Sequence, residues 1–407
     1  MDIPQGYKQT ELGIIPEDWE VKSFSQVFDM YPNNTYPRDC MNDSYGAIRN
    51  IHYGDVLIKY PTIVDVERCS IPYLNEDVKI KAQKFVQSGD VIIADTAEDE
   101  TVGKCVEIKN AINAKIVSGL HTFFCHPISL FAIGWWGYYL NSSNYHNQLL
   151  PYITGIKVSS ISRASIQETK LLVPPIAEQK AIAEALSDID GLIAALDKKI
   201  AKKRLIKQGA MQQLLTGKKR LPGFTDEWIK KRVKDIFKVT RGYVLSTNKT
   251  AERPDGYYKY PVYSSQTQNN GIMGYYSEYL FNDAITWTTD GANAGEVNLR
   301  KGKFYCTNVC GVLINEEGYS NDCIASIINM VTKSYVSYIG NPKLMNNVMA
   351  EINIRIPSSI EEQQAITTIL SNMDKEIADL EARRDKYRLL KSGMMQKLLT
   401  GQIRLTV

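Results

Sequence analysis

The sequence predicts an α+β fold made of two similar halves, each a globular block followed by one long helix. Three observations lead to this prediction: an internal repeat, a heptad pattern in both repeated segments, and short β-rich runs between them. We expect the two helices to pair antiparallel as an intramolecular coiled coil, which gives the chain a pseudo-twofold repeat. The predicted segments are a globular domain at 1–172, a central helix at 173–221, a second globular domain at 222–356 and a C-terminal helix at 357–407.

The repeat appears when residues 179–221 are written above residues 363–405, a shift of 184 without a gap. A weaker match at a shift of 209 aligns Trp19 with Trp228 and Phe28 with Phe237. The two shifts differ by 25 residues, so the first globular block is longer by about that much while the helices keep equal length. The positions that are identical at the first shift include Ile182, Leu186, Ser187, Asp190, Ile193, Leu196, Leu205, Lys207, Gly209, Met211, Gln212, Leu214, Leu215, Thr216, Gly217, Arg220 and Leu221.

Apolar residues in both repeated segments recur at steps of four and three, which is typical of helices that pack knobs into holes. Prolines precede each segment, and Gly217 and Gly401 follow, as expected at helix ends. The pattern weakens after Ile200, so that the remainder of the helix either packs less tightly or binds another chain. The candidate partner-binding residues are Ile200, Leu214 and Leu398. The apolar positions are Ile182, Leu186, Ile189, Ile193, Leu196 and Ile200, then Ile366, Leu370, Met373, Ile377 and Leu380.

Polar loops in the second globular block suit a DNA groove. They lie at 263–271 and 288–295, and the second of them follows a β-rich run. Asn and Gln can read adenine edges with two hydrogen bonds, and Ser and Thr can reach either type of base. The alternative is that these are ordinary turn residues. The candidate DNA-binding residues here are Tyr263, Ser265, Gln266, Gln268, Asn269, Thr288, Thr289 and Asn293.

The first globular block offers fewer candidates. Arg49 could pair with guanine, and Lys104 or Lys157 with a phosphate, while Ser159 follows in a polar segment. A run of basic residues between Lys198 and Lys234 faces only Asp226 and Glu227 as acids within that stretch. It forms either a solvated helix face or a stripe that meets phosphates or a partner.

The composition argues against several classes of protein. The formal charge of +3 is small, so any basic surface is local. The N-terminus lacks the features of a signal peptide, the longest apolar run is too short for a bilayer, and the seven cysteines form no C-x-x-C pair. We therefore expect a cytoplasmic protein without a membrane segment, disulfides or a metal site.

Motifs for catalysis are also missing, including a phosphate-binding P-loop and a glycine-rich turn for S-adenosylmethionine. Asp95 followed by Glu107 and Lys109 mimics the spacing of metal-dependent nucleases, but the second block has no equivalent. We therefore expect a chain without catalytic residues.

Several segments resemble the specificity subunits of type I restriction-modification enzymes. They are YKQTELGIIPEDW at 7–19, PPIAEQ at 174–179 and QLLTG at 213–217, with the second copies Glu362, Gln363 and KLLTG at 397–401. The resemblance covers essentially the whole chain, and the second copy departs only slightly, with Pro357 followed by two serines.

The resemblance implies that each globular block is a target-recognition domain that reads one half of a split, asymmetric site in double-stranded DNA. It also implies that the helices set the gap between the half-sites and dock two methyltransferase subunits. Motor-nuclease subunits would complete the complex. S-adenosylmethionine, ATP and Mg²⁺ would be bound by those partners and not by this chain. The remaining alternatives are a coiled-coil scaffold and a stand-alone DNA-binding protein without a restriction role.

Overall fold

The computed structural model describes residues 3–78, 84–155, 157–265 and 268–405. The chain divides into two compact units: unit 1 comprises Met1–Asp197 and Ala382–Val407, and unit 2 comprises Lys198–Glu381. Each unit therefore contains one globular block together with a part of both long helices. This grouping by contacts differs from the four segments predicted from the sequence, because each helix packs on globular residues at its ends.

Unit 1 contains short strands, short helices and parts of the two long helices. Its strands are β1 (Tyr7–Thr10), β2 (Gly13–Pro16), β3 (Glu20–Ser23), β4 (Phe28–Tyr31), β5 (Met41–Asn42), β6 (Arg49–Ile51), β7 (Ile63–Asp65), β8 (Tyr73–Leu74), β9 (Val91–Ala94), β10 (Thr96–Ala97), β11 (Cys105–Lys109), β12 (Ile116–Ser118), β13 (Thr122–Pro127), β14 (Ser159–Ser160) and β15 (Lys170–Val173). Its helices are α1 (Phe24–Val27), α2 (Trp135–Leu140), α3 (Ser143–Leu149), α4 (Arg163–Gln167), the first part of α5 (Ile176–Leu214) and the last part of α8 (Ile360–Leu398).

Unit 2 has fewer and longer strands. They are β16 (Ile229–Arg232), β17 (Lys238–Arg241), β18 (Tyr260–Tyr263), β19 (Ile272–Tyr276), β20 (Phe281–Thr288), β21 (Val297–Cys306), β22 (Cys310–Ile314) and β23 (Asn353–Ile356). The helices of unit 2 are α6 (Asp322–Thr332), α7 (Asn346–Glu351), the second part of α5 and the first part of α8 (Ile360–Leu398).

The main sheets of the two units share one topology over five strands. The order is β4-β13-β9-β11-β7 in unit 1 and β17-β22-β20-β21-β18-β19 in unit 2, where β19 is added at the edge. In both sheets the pairs are antiparallel except one: β7 runs parallel to β11, and β18 runs parallel to β21. A second shared feature is the pairing of the strand that enters each block with the strand that leaves it, β3 with β15 and β16 with β23. The repeat predicted from the helices therefore extends to the globular blocks.

The core of each unit combines tryptophans of the globular block with apolar residues of both long helices. In unit 1, Trp19 packs edge-to-face on Trp135 with ring centroids 5.9 Å apart, and Leu186 and Leu398 join the same core. The core of unit 2 is built in the same way, from Leu214, Trp228, Trp287, Ile324 and Ile366. Burial of the apolar helix faces on the globular blocks is thus what holds each unit together.

Within each unit the two helices run antiparallel, as predicted. In unit 1, Lys391 pairs with Asp190 at 2.7 Å and Arg384 pairs with Asp197 at 3.3 Å. The residue number of the α5 partner rises from 190 to 197 while that of the α8 partner falls from 391 to 384, so the two helices run in opposite directions. In unit 2, Lys207 pairs with Asp374 and Arg204 with Glu381. Most of the heptad residues are buried or half-buried, so the coiled-coil pattern is confirmed.

Six of the thirteen basic residues between Lys198 and Lys234 form ion pairs inside unit 2 with acids that lie outside this stretch. The compensating acids are distant in sequence and come from α8 and from the end of α7. The pairs are Lys203 with Glu376, Arg204 with Glu381, Lys207 with Asp374, Arg220 with Glu362, and Arg232 and Lys234 with Glu351. A linear count of charges could not show this pairing.

A buried glutamate near the start of each long helix joins three separate parts of the chain. In unit 1, Trp19 Nε1 donates to Glu178 Oε2 at 2.9 Å, and Arg404 donates to both Glu178 oxygens, from Nε at 2.7 Å and from Nη2 at 2.8 Å. We call this arrangement the Trp–Glu–Arg clamp. It ties the N-terminal segment, the start of α5 and the segment after α8, which together close unit 1.

Unit 2 contains the same clamp. Arg220 donates to Glu362 from Nε at 2.7 Å and from Nη2 at 2.8 Å, and Trp228 Nε1 lies 3.4 Å from Glu362 Oε1. The neighbouring glutamine is also used alike: Gln179 Nε2 donates to the Pro174 carbonyl at 2.8 Å and Gln363 Nε2 to the Pro357 carbonyl at 3.0 Å. The repeated Glu-Gln pair is therefore a structural motif.

The glycine that ends each LLTG segment packs against the same clamp. Gly217 has φ of 68°, and a Cβ there would lie 3.1 Å from the Trp228 ring. Gly401 has φ of 71°, and a Cβ would collide with Pro16. Only glycine combines this left-handed conformation with so close an approach.

The clamp gives a direct test of the fold. We predict that Glu362→Gln lowers the free energy of unfolding by about 2 to 3 kcal/mol, because it leaves the guanidinium of Arg220 without its buried partner. Urea unfolding followed by tryptophan fluorescence measures the change. Glu376→Gln is the matched control, since the pair of Glu376 with Lys203 is exposed and its loss should cost less than about 1 kcal/mol. Equal losses in the two variants would contradict a special role for the clamp.

Candidate nucleic-acid interface

Residues of both polar loops predicted in the second block line one pocket of unit 2. Ser264 and Asn270 come from the segment after β18, and Thr288 and Glu296 lie at the ends of β20 and of the loop before β21. Arg300 of β21 also lines it. This polar pocket sits beside the main sheet, at the end of β20 where the chain leaves for the loop 289–296. The loops are separate in the sequence, and the sheet brings them together.

Arg300 is the most unusual residue of the polar pocket. Its side chain is buried, with the residue only 6% exposed. Nε donates to Thr286 Oγ1 at 3.1 Å, Nη1 donates to the Asn270 carbonyl at 2.8 Å, and the guanidinium lies over the Tyr263 ring at 3.9 Å. Among the residues that the structure describes, no carboxylate pairs with it. Burial of a cation costs free energy, and here two hydrogen bonds and the face of the Tyr263 ring offset that cost.

The loop that Arg300 supports ends in two asparagines with left-handed backbones. Asn269 has φ of 50° and Asn270 has φ of 53°, followed by Gly271 at 80°. We call Asn269 and Asn270 the Asn tip. Two successive residues with positive φ are typical of a tight type I′ turn, and asparagine tolerates this region better than other non-glycine residues. The tip connects β18 to β19, and both asparagines are exposed.

The candidate residues of the second block differ in their exposure to solvent. Asn269 is exposed, Ser265 and Asn293 are half-buried, and Thr288 lines the polar pocket although it is nearly buried. Gln268 begins the turn before the tip, and Gln266 lies outside the described residues.

Two candidates of this block have their polar atoms engaged inside the unit. Tyr263 is buried under Arg300 and edge-to-face with Phe304, so it supports the pocket and does not face solvent. Thr289 is buried and donates to Asp290 Oδ2 at 2.7 Å. Neither side chain is free to reach a base in this conformation.

Two basic candidates of the first block are committed to structural contacts. Arg49 donates to the Val66 carbonyl and to the Tyr73 hydroxyl, both at 3.2 Å. Lys104 donates to the Leu57 carbonyl at 2.5 Å, and burial lowers the pKa of its ammonium group. A contact of either with DNA would need these bonds to break.

The other two candidates remain accessible. Lys157 is exposed, and Ser159 lies half-buried in β14, which pairs with β10 directly after Asp95. The strand β9 holds the same place in its sheet as β20, so the loop 95–104 is the counterpart of the loop 289–296.

Sequence reasoning missed a polar cluster beside this loop of unit 1. His121 has φ of 53° and is about half exposed, its Nδ1 lies 3.2 Å from Asp95 Oδ1, and Thr96 donates to the same oxygen at 2.7 Å. The Tyr53 ring packs edge-on at 5.3 Å. The signal that could have found it is the correspondence of β9 and β20, which directs attention to the residues that follow each strand.

The carboxylates that mimic a nuclease do not form a metal centre. Glu107 is buried and accepts from the backbone N–H groups of Gly134 at 2.8 Å and Gly137 at 2.7 Å, at the start of α2. Burial raises the pKa of Glu107 to about 7. Asp95 is engaged with Thr96 and His121. Across the described residues no group of three or more His, Cys, Asp or Glu is arranged to hold a metal ion.

The candidate partner-binding residues Ile200, Leu214 and Leu398 are buried within their units. They are core side chains because they lie on the faces of the helices that the chain itself covers. Other apolar residues of the same helices are exposed: Leu205 is 68% and Leu389 is 76% exposed. Their neighbours Ile206 and Leu390 are also exposed. None of the helices in the described ranges is both long and apolar enough to cross a bilayer.

The sequence and the fold of this chain are similar to those of known proteins. The family model described as the type I restriction modification DNA specificity domain matches residues 16–203 and 225–387, one match in each half. A Methanocaldococcus jannaschii protein, provisionally named the type I restriction enzyme MjaX specificity subunit, is 23% identical over 98% of this chain and 97% of its own.

Two solved structures share the fold at 14% sequence identity. One is the S subunit of the type I restriction-modification system from M. genitalium, with a TM-score of 0.60 over 98% of both chains. The other comes from a study of complex assembly and conformational transition in the type I system, with a TM-score of 0.57 over 96% of this chain and 99% of that one. The chain therefore belongs to the type I restriction-modification DNA specificity family.

Proposed function

We propose that this chain is the DNA sequence-specificity subunit of a type I restriction-modification complex, in which each globular domain reads one half of a bipartite, asymmetric site. The observation that carries the proposal is that two sheets with the same order of five strands bear different loops at the same strand end. Unit 1 places Asp95, Thr96 and His121 there, and unit 2 places Thr288, Glu296 and the Asn tip. One scaffold with two different polar surfaces suits a site whose halves differ.

Catalysis in such a complex would belong to other subunits. Specificity subunits are non-catalytic, and in this chain Glu107 and Asp95 are engaged in internal hydrogen bonds. We propose that methyltransferase subunits bind S-adenosylmethionine and modify adenine, and that motor-nuclease subunits use ATP and Mg²⁺ to translocate and cleave DNA. This chain would then select the DNA site and provide the scaffold on which the other subunits assemble.

The docking surface proposed for the methyltransferases is the exposed apolar pair on each long helix. Leu205 and Ile206 form the pair of unit 2, and the 184-residue repeat relates them to Leu389 and Leu390 of unit 1. An exposed leucine or isoleucine adds little to folding, yet here a pair of them recurs. Because the pair occurs twice, it suits two copies of one partner.

The long helices are the parts that would set the distance between half-sites. Each runs for 39 residues, and each contributes to both units. A protein with two readers on a helical spacer should accept only half-sites at a fixed separation, since spacing on DNA follows protein geometry.

The first experiment tests the specificity role itself. We expect the purified chain, mixed with its candidate methyltransferase subunit and S-adenosylmethionine, to direct adenine methylation to one split motif. Long-read sequencing of treated genomic DNA maps the modified adenines. The control omits this chain, and methylation of the same motif without it would favour the scaffold alternative.

A second prediction concerns spacing. Deleting one heptad from each helix, residues 193–199 and 377–383, keeps the heptad phase and the antiparallel register. Since seven helical residues span about 10 Å, the preferred gap between half-sites should change by about 3 base pairs while both half-sites stay the same. Methylation mapping with the deleted chain measures the gap, and an unchanged gap would reject the spacer role.

A third prediction concerns docking. Leu205→Asp and Leu389→Asp should each reduce the number of bound methyltransferase subunits from two to one, and the double variant should bind none. Native mass spectrometry of the assembled complex counts the subunits. Leu192→Asp is the control, because Leu192 is also an exposed leucine of α5 but its repeat position is Glu376. Two subunits on the double variant would place the docking surface elsewhere.

A further inference from the structure

We infer that the Asn tip of unit 2 reads an adenine in the half-site of that unit, and that Arg300 is a positioning residue that holds the tip in its reading conformation. This inference rests on the proposed function and names the base and the residues that recognise it. It combines three features of the pocket: the conformation of the tip, the bonds that Arg300 makes to it, and the chemistry of its side chains.

The tip has a left-handed backbone at three successive residues, two of which are not glycine. Asn269, Asn270 and Gly271 follow one another with φ of 50°, 53° and 80°. This region is unfavourable for most non-glycine residues, and asparagine adopts it more readily than the others, usually as a single residue. Strain of this kind persists where the surroundings compensate it, and it keeps the side chains in a fixed orientation before a ligand arrives.

Arg300 makes hydrogen bonds to Asn270 that stabilise this conformation of the tip. Its Nη1 donates to the Asn270 carbonyl at 2.8 Å and lies 3.4 Å from the Asn270 side-chain oxygen. Nε is occupied by Thr286, and the guanidinium plane is fixed over Tyr263. Since Nη1 bonds to Asn270 and the residue is buried, Arg300 acts on the conformation of the tip.

The chemistry of the tip favours a base over a phosphate. The segment 264–271 contains no charged residue, whereas contacts to phosphates are made largely by lysine and arginine. Asn269 is exposed and offers an amide N–H₂ donor beside a carbonyl acceptor. That pair matches the N7 acceptor and N6 donor of adenine in the major groove, where asparagine binds with two hydrogen bonds.

Single-residue variants test the assignment in the assembled complex with its methyltransferase subunits. The motif of the wild-type complex is determined first, and binding is then measured by competition with duplexes substituted at one position at a time. Asn269→Ala should lose about tenfold or more of its discrimination at one adenine position in one half-site, and should leave the other half-site unchanged. Asn282→Ala is the control, since Asn282 is an exposed asparagine at the opposite end of β20.

Arg300→Lys tests the positioning role. Lysine keeps the positive charge but cannot donate to Thr286 and Asn270 together from a planar group, so discrimination should weaken at the same adenine position as in Asn269→Ala. Thermal unfolding of this variant separates lost positioning from lost folding, and if the variant does not fold, Asn269→Ala decides alone. Full discrimination by Asn269→Ala at every adenine of both half-sites would overturn the inference. A wild-type complex without a split motif would instead overturn the proposed function.

Discussion

The architecture depends on the hydrogen bonds that one buried glutamate of each repeat accepts through its carboxylate. Glu178 and Glu362 each lie at the start of a long helix and accept hydrogen bonds from an arginine that follows the end of the other helix. A buried carboxylate is stable only where such partners reach it, so the globular block, the helix start and the returning segment must meet at that point. The two globular blocks are therefore fixed to the helices at repeated positions, whatever loops they carry.

This constraint explains why the loops could diverge while the framework stayed alike. The sheets keep the same strand order because their central strands pack on tryptophans and helix residues of the core. The loops after β9 and β20 each bury a few apolar side chains, Ala97 and Val102 in unit 1 and Ala294 in unit 2, whereas polar residues such as Thr96 and Thr289 bond to the residue next to them. Polar residues in such loops can change without loss of the core, which is the property that a protein needs in order to read different DNA sequences on one scaffold.

The sequence allowed the framework to be predicted better than the interface. The heptad positions and the repeated Glu-Gln and LLTG segments predicted the paired helices, because periodicity depends only on residue type. Tyr263, Thr289 and Arg49 were chosen for their hydrogen-bonding groups, but those groups are used inside the units, and residue type does not reveal whether a bond is already made. Arg300 was missed because it lies in a strand that reads as exposed and charged, and only the fold shows that its guanidinium is buried beneath the Asn tip.

The distribution of repeated and unrepeated residues separates two kinds of surface. Ion pairs between the helices recur at the 184-residue shift, as Lys391 with Asp190 and Lys207 with Asp374 do, and so do the exposed apolar pairs that begin at Leu205 and Leu389. The residues beside the ends of β9 and β20 do not recur. A partner that binds twice needs identical surfaces, whereas an asymmetric DNA site needs different ones. The repeat is thus retained where two copies of one protein would bind and absent where two different half-sites would be read.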